Sequence, residues 1–333
     1  MNSSTLTSSD LKSQLQQHLG EELSAVTQIL SRQMRSGSRF VSDITEHVAR
    51  FQGKQIRPLL LLLTQRMICG RVTEEARMLA AAVEMIHTAT LVHDDVIDEA
   101  ETRRHVATVH RRWDTETSVL LGDYLFSKSF HLAASTGDAE ACRLIGRATD
   151  RTCEGELNQI AARLEQSTSE FDYFRIIRDK TGQLFALSCR LGARAAGASS
   201  HQVMKAARFG MRLGMAFQVA DDILDLTERA ELTGKDAGND LQNGRMTLPL
   251  LRAIRLAETS NEAQELRRLL TVGDTAVPDI IGHLPAVQRG IRSAGDTAMD
   301  LATRAVADLH QFSASHDQRL LEMLAMFAVR RRQ

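Results

Sequence analysis

The stretch Glu84-Met85-Ile86-His87-Thr88-Ala89-Thr90-Leu91-Val92-His93-Asp94-Asp95-Val96-Ile97-Asp98 decides how the rest of the chain is read. Just upstream, Leu79, Val83 and Ile86 recur at spacings of four and three, which is a helical period. On such a helix Asp94 and Asp98 share a face, Asp95 sits beside them, and His87 lies two turns earlier on the same stripe. Three carboxylates within about one turn repel one another. The apolar pattern fades soon after Asp98, so the cluster falls near the helix C-terminus, where the macrodipole also disfavours anions. Two electrostatic penalties at one place call for a cation.

The same spacing returns in Gly214-Met215-Ala216-Phe217-Gln218-Val219-Ala220-Asp221-Asp222-Ile223-Leu224-Asp225, again after an apolar helical run, with the turn signal Thr233-Gly234 beyond it. A single copy reads as an acidic turn on a solvated helix face. Two copies with identical spacing, each preceded by apolar sequence, favour a metal instead. Mg²⁺ is a hard ion, held by one or two carboxylates together with waters and substrate phosphates. The expectation is a diphosphate clamped between two metal-loaded helices.

Composition narrows the class. The chain has 333 residues, 43% of them hydrophobic, enough for a sizeable core. Lys+Arg 41 against Asp+Glu 42 leaves a formal net charge of -1, so no global basic field recruits nucleic acid and anion recognition must be local. Cys69, Cys142, Cys153 and Cys189 form no CxxC pair and no zinc spacing; they read as buried thiols in a reducing compartment. The start Met1-Asn2-Ser3-Ser4-Thr5 lacks the basic and apolar regions of a signal peptide, and the aliphatic run Leu59 to Leu63 is too short for a membrane span. The reading is a cytoplasmic protein with no transmembrane segment.

Pro58, Pro249, Pro278 and Pro285 are the only prolines, so residues 59 to 248 have none. That absence fits consecutive long helices, and strands of alternating polarity are hard to find. The fold class expected is all-α: one domain over 1–333, a bundle of long helices around a central cavity, with an N-terminal helical segment at 1–36 and a motif-bearing core at 50–255. Ser8-Ser9-Asp10 offers an N-cap, with Leu11, Leu15 and Leu19 beginning a stripe. In Gly53-Lys54-Gln55-Ile56-Arg57-Pro58, Pro58 fits the first turn of a helix from Leu59 to Met67, which brings Lys54 and Arg57 to its N-terminus. Two cations at a helix N-terminus make a candidate anion site.

Thr102-Arg103-Arg104-His105 follows the first acidic cluster and offers guanidinium groups to a phosphate. Gly122-Asp123-Tyr124-Leu125-Phe126 reads as core packing with Asp123 as an internal hydrogen-bond anchor, and Asp179-Lys180-Thr181-Gly182 as the opening of an apolar helix. Lys235 lies in the polar, glycine-rich stretch Thr233 to Leu241, the composition of a surface loop. The region of Gly273, Pro278 and Pro285 reads as a connector, and the three arginines at 330–332 complement the end of a last helix from Leu320 to Val329.

In these residues the sequence resembles the trans-polyprenyl diphosphate synthases over roughly residues 50 to 255. Gly53-Lys54-x-x-Arg57-Pro58, both Asp-Asp-x-x-Asp motifs, Arg103-Arg104, Lys180-Thr181, Phe217-Gln218 and Lys235 occur in the family's order. The resemblance implies a homodimeric helical prenyltransferase joining isopentenyl diphosphate to an allylic prenyl diphosphate. It implies Mg²⁺, three ions per active site, held by Asp94, Asp95, Asp98, Asp221, Asp222 and Asp225. It further implies that Arg103, Lys180 and Lys235 bind the allylic diphosphate, that Lys54, Arg57, His87 and Arg104 bind isopentenyl diphosphate, and that Thr181 and Gln218 line the reaction centre. Two positions depart from the pattern: His105 stands where the family commonly has Gly, and Arg245 where it commonly has Lys.

Related enzymes with short products carry bulky aromatics four or five residues before the first Asp. Here those positions are Thr90 and Ala89, with Met85 and Ile86 further down, so a long-chain product is expected, geranylgeranyl or farnesyl diphosphate being the shorter alternative. A terpene cyclase or a non-catalytic helical subunit fits less well, because the second acidic motif is intact and Lys54/Arg57 form a separate anion site.

Overall fold

Leu59 to Leu63 are all buried, so the helix that carries them is apolar around its whole circumference and has protein on every side. The computed structural model describes residues 8–51, 53–165, 168–227, 244–257, 259–271, 282 and 284–330. It is all-helical apart from one two-stranded hairpin among those residues. The first helices are α1 (Ser8–Met34), α2 (Arg39–Ala49), α3 (Ile56–Cys69) and α4 (Glu74–Ile97). After the hairpin come α5 (Val109–Arg112), α6 (Thr115–Ala134), α7 (Ala139–Glu165), α8 (Glu170–Ile177), a π-helical turn at Arg178–Gly182, α9 (Gln183–Ala195) and α10 (Ser200–Thr227). The chain closes with α11 (Leu248–Arg255), α12 (Ser260–Thr271), α13 (Pro285–Leu309) and α14 (His316–Val329).

Two compact units form. One comprises Met1–Thr149, Leu184–Gly210 and Ala305–Phe327; the other comprises Asp150–Gln183, Met211–Arg304 and Ala328–Gln333. In the first, α4 starts at Thr73, whose side chain accepts the Ala76 amide, and Glu74 and Glu75 oppose the positive end of the dipole. The small residues Ala80, Ala81 and Ala82 let α6 come close, and Ser129 Oγ donates to the Ala82 carbonyl at 3.0 Å. Asp317 accepts from Arg66 at 3.1 Å and lies 2.7 Å from His18 Nε2, tying α14 to α1 and α3. In the second unit Tyr173, Ile177, Val219, Ile223, Leu248 and Ile291 form the centre of an apolar cluster.

Several expectations need correction. Helix α3 starts at Ile56, three residues before the Leu59 start expected, so Pro58 is the third residue of its first turn and Arg57 is inside the helix. Residues 102–107 form an antiparallel strand pair, with Thr102 opposite Ala107 and Arg103 opposite Val106. Its turn residues Arg104 and His105 both have positive φ, 52° and 64°, as a type I′ hairpin turn requires. A Gly adopts that backbone without steric cost, which explains why His105 looks out of pattern. Asp123 is not an internal anchor: its side chain is 65% exposed. Of the cysteines only Cys189 is buried; Cys69 and Cys153 are exposed. Pro285 opens α13 rather than lying in a connector. No helix among the described residues is long and apolar enough to cross a membrane.

Candidate active site

The first acidic motif sits where the period put it. Helix α4 ends at Ile97 and Asp98 is its C-cap, with the Asp98 amide donating to the Asp94 carbonyl at 2.8 Å. Asp94 and Asp98 are half-buried on one face. Asp95 points elsewhere and is 1% exposed. Arg103 Nε donates to both Asp95 oxygens, at 2.8 and 3.1 Å, and Arg103 Nη2 donates to Oδ1 at 2.7 Å. Burial pushes the Asp95 carboxyl above the usual aspartate range, and the Arg103 guanidinium pulls against it.

A pocket lies in the same unit, between the loop before α3 and the face of α4. Its lining includes Gly53, Gln55, Glu84, His87 and Arg104. Gly53 leaves room for the Arg104 guanidinium: a Cβ there would fall 2.3–2.7 Å from it and displace that head group. Arg104 Nη1 donates to the Phe51 carbonyl, which fixes the side chain across this loop. Arg57 stacks over the Phe185 ring at 5.1 Å, and its Nε is buried with no partner. Burial lowers Arg57 to about 10, although Glu84 pulls it upward.

His87 is held well below the ordinary histidine range by burial and by Arg57, Arg103 and Arg104, so it is neutral at pH 7. Glu84 is the residue that sequence reasoning missed here. Its Oε2 is buried and unpartnered, and burial raises its carboxyl against the pull of Arg57 and Arg104. The signal was present: Glu84, His87, Thr88 and Leu91 stand at i, i+3, i+4 and i+7, one helical face. Lys54 is exposed in the loop just before α3. Lower on α4, Met85, Ile86 and Ala89 are fully buried, while half-buried Thr90 donates to the His87 carbonyl at 2.8 Å.

In the other unit, Lys180 and Thr181 do not open a helix; they lie in the π-helical turn joining α8 to α9. Turns of this kind arise where one residue is inserted into an α-helix, and they recur at functional sites. Helix α7 comes close because residue 155 is Gly: a Cβ there would meet the Lys180 amide nitrogen at 2.6 Å. Lys180 Nζ donates to Gln159 Oε1 at 2.9 Å and pairs with Glu156. Burial would raise the Asp179 carboxyl, but two hydrogen bonds from Arg178 outweigh it and hold it below the usual range.

Thr181 Oγ1 donates to Gln218 Oε1 at 2.8 Å, and Gln218 Nε2 donates to Asp222 Oδ1 at 2.9 Å. The Tyr173 hydroxyl donates to Asp222 Oδ2 at 2.5 Å. Asp222 is 3% exposed, whereas Asp221 and Asp225, four apart on α10, are half-buried. Lys235 and the loop around it lie outside the described residues.

The donor set of both motifs is carboxylate oxygen, which fits Mg²⁺ rather than a softer metal. Among the described residues no three His, Cys, Asp or Glu groups converge as a self-contained cage. The fit is therefore to an ion that keeps waters or takes phosphate oxygens from a substrate.

An all-helical chain with two Asp-Asp-x-x-Asp helices fits the isoprenoid synthase class. Residues 38–282 match the polyprenyl synthetase family model, and the chain belongs to that family. It is 37% identical over 272 residues to heptaprenyl diphosphate synthase component 2 of Geobacillus stearothermophilus, covering 81% of this chain and 83% of that one. It is 30% identical over 318 residues to octaprenyl diphosphate synthase of Haemophilus influenzae, covering 96% of each. A solved polyprenyl synthase from Caulobacter crescentus, complexed with calcium and isoprenyl diphosphate, superposes with a TM-score of 0.90 at 34% identity, covering 96% of this chain and 97% of that one.

Proposed function

We propose that this chain is a Mg²⁺-dependent prenyltransferase. It condenses an allylic prenyl diphosphate with isopentenyl diphosphate, head to tail and repeatedly, releasing diphosphate and giving a long-chain all-trans polyprenyl diphosphate. The observation that carries the reading is helix α4, which bears Asp94 and Asp98 at its end and, two turns earlier, turns Glu84 and His87 into a pocket that Arg104 also lines. One helix thus presents a cation-binding end and a metal-free anion pocket, as two diphosphate substrates require.

In this reading Arg57, Arg104 and Lys54 take the diphosphate of isopentenyl diphosphate, and neutral His87 adds a hydrogen-bond donor without charge. Asp94, Asp95, Asp98, Asp221, Asp222 and Asp225 are the proposed residues for three Mg²⁺ ions, with the middle carboxylates Asp95 and Asp222 acting from their hydrogen-bonded positions. When bound, Mg²⁺ neutralises the charge that develops on the departing diphosphate. Arg103, Lys180 and Lys235 hold that diphosphate, and Thr181 and Gln218 border the reacting carbons. The apolar wall of α4 keeps water from the allylic cation until the isopentenyl double bond attacks it. The proton lost next goes to the released diphosphate, so no side-chain nucleophile takes part. The family resemblance supports a cytoplasmic homodimer in which both units act as one synthase domain.

Product length is assigned to the foot of α4. Ala89 lies about 7 Å below Asp94 at ~1.5 Å per residue, and its side chain is smaller than the aromatic ring that would block a growing chain there. Incubating the protein with Mg²⁺, isopentenyl diphosphate and farnesyl diphosphate, then chromatographing the dephosphorylated alcohols, should give a long-chain product. Ala89→Phe should shorten it while the first condensations continue. No product from the wild type would sink the reading; wild-type arrest at geranylgeranyl length would establish the shorter-chain alternative.

A further inference from the structure

The bonds around Asp222 run in one direction, and that direction fixes a proton. Gln218 turns its NH₂ toward Asp222 Oδ1, 2.9 Å away, which leaves its carbonyl oxygen facing Thr181. A carbonyl oxygen only accepts, so the Thr181 hydroxyl has to donate along the 2.8 Å contact. With its proton committed inward, Thr181 Oγ1 presents lone pairs on its other side. The remaining Asp222 oxygen receives the Tyr173 hydroxyl at 2.5 Å.

Tyr173 is well placed to be the fixed end of this chain. Its ring is 5% exposed, sits in the apolar cluster with Ile177, Val219 and Ile223, and meets the Phe174 ring edge-on at 5.4 Å. Asp222 is 49 residues away in sequence and itself buried. A short bond from a phenol locked in the core stops the Asp222 carboxylate from rotating, and the rest of the chain inherits that orientation.

We propose that Tyr173 is a positioning residue for the condensation: through Asp222 and Gln218 it holds the Thr181 hydroxyl as an acceptor toward the reacting carbons. The proposal rests on the prenyltransferase reading, and it casts the middle carboxylate of the second motif as an orienting group. Tyr173 touches neither substrate in this account. Its loss should therefore slow turnover without weakening binding of either diphosphate.

The test is Tyr173→Phe, which removes one oxygen and keeps the ring packing. Expected is a fall in kcat of roughly tenfold, the scale of one hydrogen bond to a charged group. KM for both substrates should stay within about twofold. The decisive measurement is a double-mutant cycle with Thr181→Ala: if Tyr173 acts through Thr181, Tyr173→Phe costs little in that background. Thermal melts of each variant separate this from a folding defect. An unchanged kcat, or full additivity in the cycle, would overturn the proposal. These results presuppose an active wild type, so an inactive wild type would sink the functional reading and is distinguishable from failure here.

Discussion

In the first acidic motif the buried middle carboxylate, Asp95, is gripped by the guanidinium of Arg103; in the second, Asp222 is held by a phenol and an amide. The spacing is identical and the outer carboxylates are half-buried in both. What differs is the group that each middle residue orients. Asp95 fixes an arginine drawn from the neighbouring hairpin. Asp222 fixes an amide, and beyond it a hydroxyl in a π-helical turn. A repeated motif can therefore share the face set by its i and i+4 positions, while its i+1 residue is recruited separately in each copy.

The outer carboxylates should be alike, and removing them is the harshest test. Asp94→Ala and Asp221→Ala should each lower turnover by about a hundredfold or more, the scale of a lost metal contact. Melting temperature without Mg²⁺ should stay the same or rise, since a like-charge clash is relieved. Near-normal turnover in either variant would break the symmetry between the two motifs.

The middle carboxylates should differ, and stability reads the difference. Asp95→Asn leaves Arg103 facing a neutral amide in a buried setting and should cost about 3 kcal/mol, the typical penalty for breaking a buried ion pair. Asp222→Asn disturbs hydrogen bonds to neutral partners and should cost about 1 kcal/mol. Denaturant unfolding of both variants checks the order, and equal losses would erase the contrast.

The arginine-rich surroundings of the first motif yield two smaller effects. Arg57→Ala should raise KM for isopentenyl diphosphate about tenfold and change that for the allylic substrate far less, as expected for a lost charge-assisted contact. Equal effects on both substrates would remove the distinction between pocket and motif. Glu84→Gln acts in the opposite sense on stability. Burial raises the Glu84 carboxyl, so the fold prefers its protonated form, and that contribution is lost as pH rises through the folded-state value. Fixing the neutral form should stabilise the protein at pH 7 by about 1 kcal/mol, the usual scale for a single substitution. The gain should vanish below the ordinary glutamate range; melts across pH 4 to 8 follow it.

The helices carrying both motifs were legible because apolar residues recur with the helical period over many turns, and Asp98 falls where that recurrence stops. The arginine pocket was legible in part, since Arg57, His87 and Arg104 stood out as cations or hydrogen-bond donors. Glu84 did not, because within an apolar run it reads as one polar break in the stripe. The hairpin escaped notice because Arg104-His105 carries none of the Gly or Asn that announces a type I′ turn. The π-helical turn has no period of its own; one inserted residue leaves the flanking helices looking continuous. Tyr173 was invisible for a different reason. Its partner is set by the packing of α8 against α10, a tertiary contact with no trace in local spacing.

That hairpin turn has a mechanical consequence. Arg103 and Arg104 are consecutive, yet one is anchored to Asp95 near the end of α4 and the other to the Phe51 carbonyl before α3. Both hang from a turn whose two non-glycine residues sit in left-handed backbone. A displacement of the turn therefore acts on both guanidinium groups at once, and a substitution at His105 should alter the Arg103–Asp95 and Arg104–Phe51 contacts together.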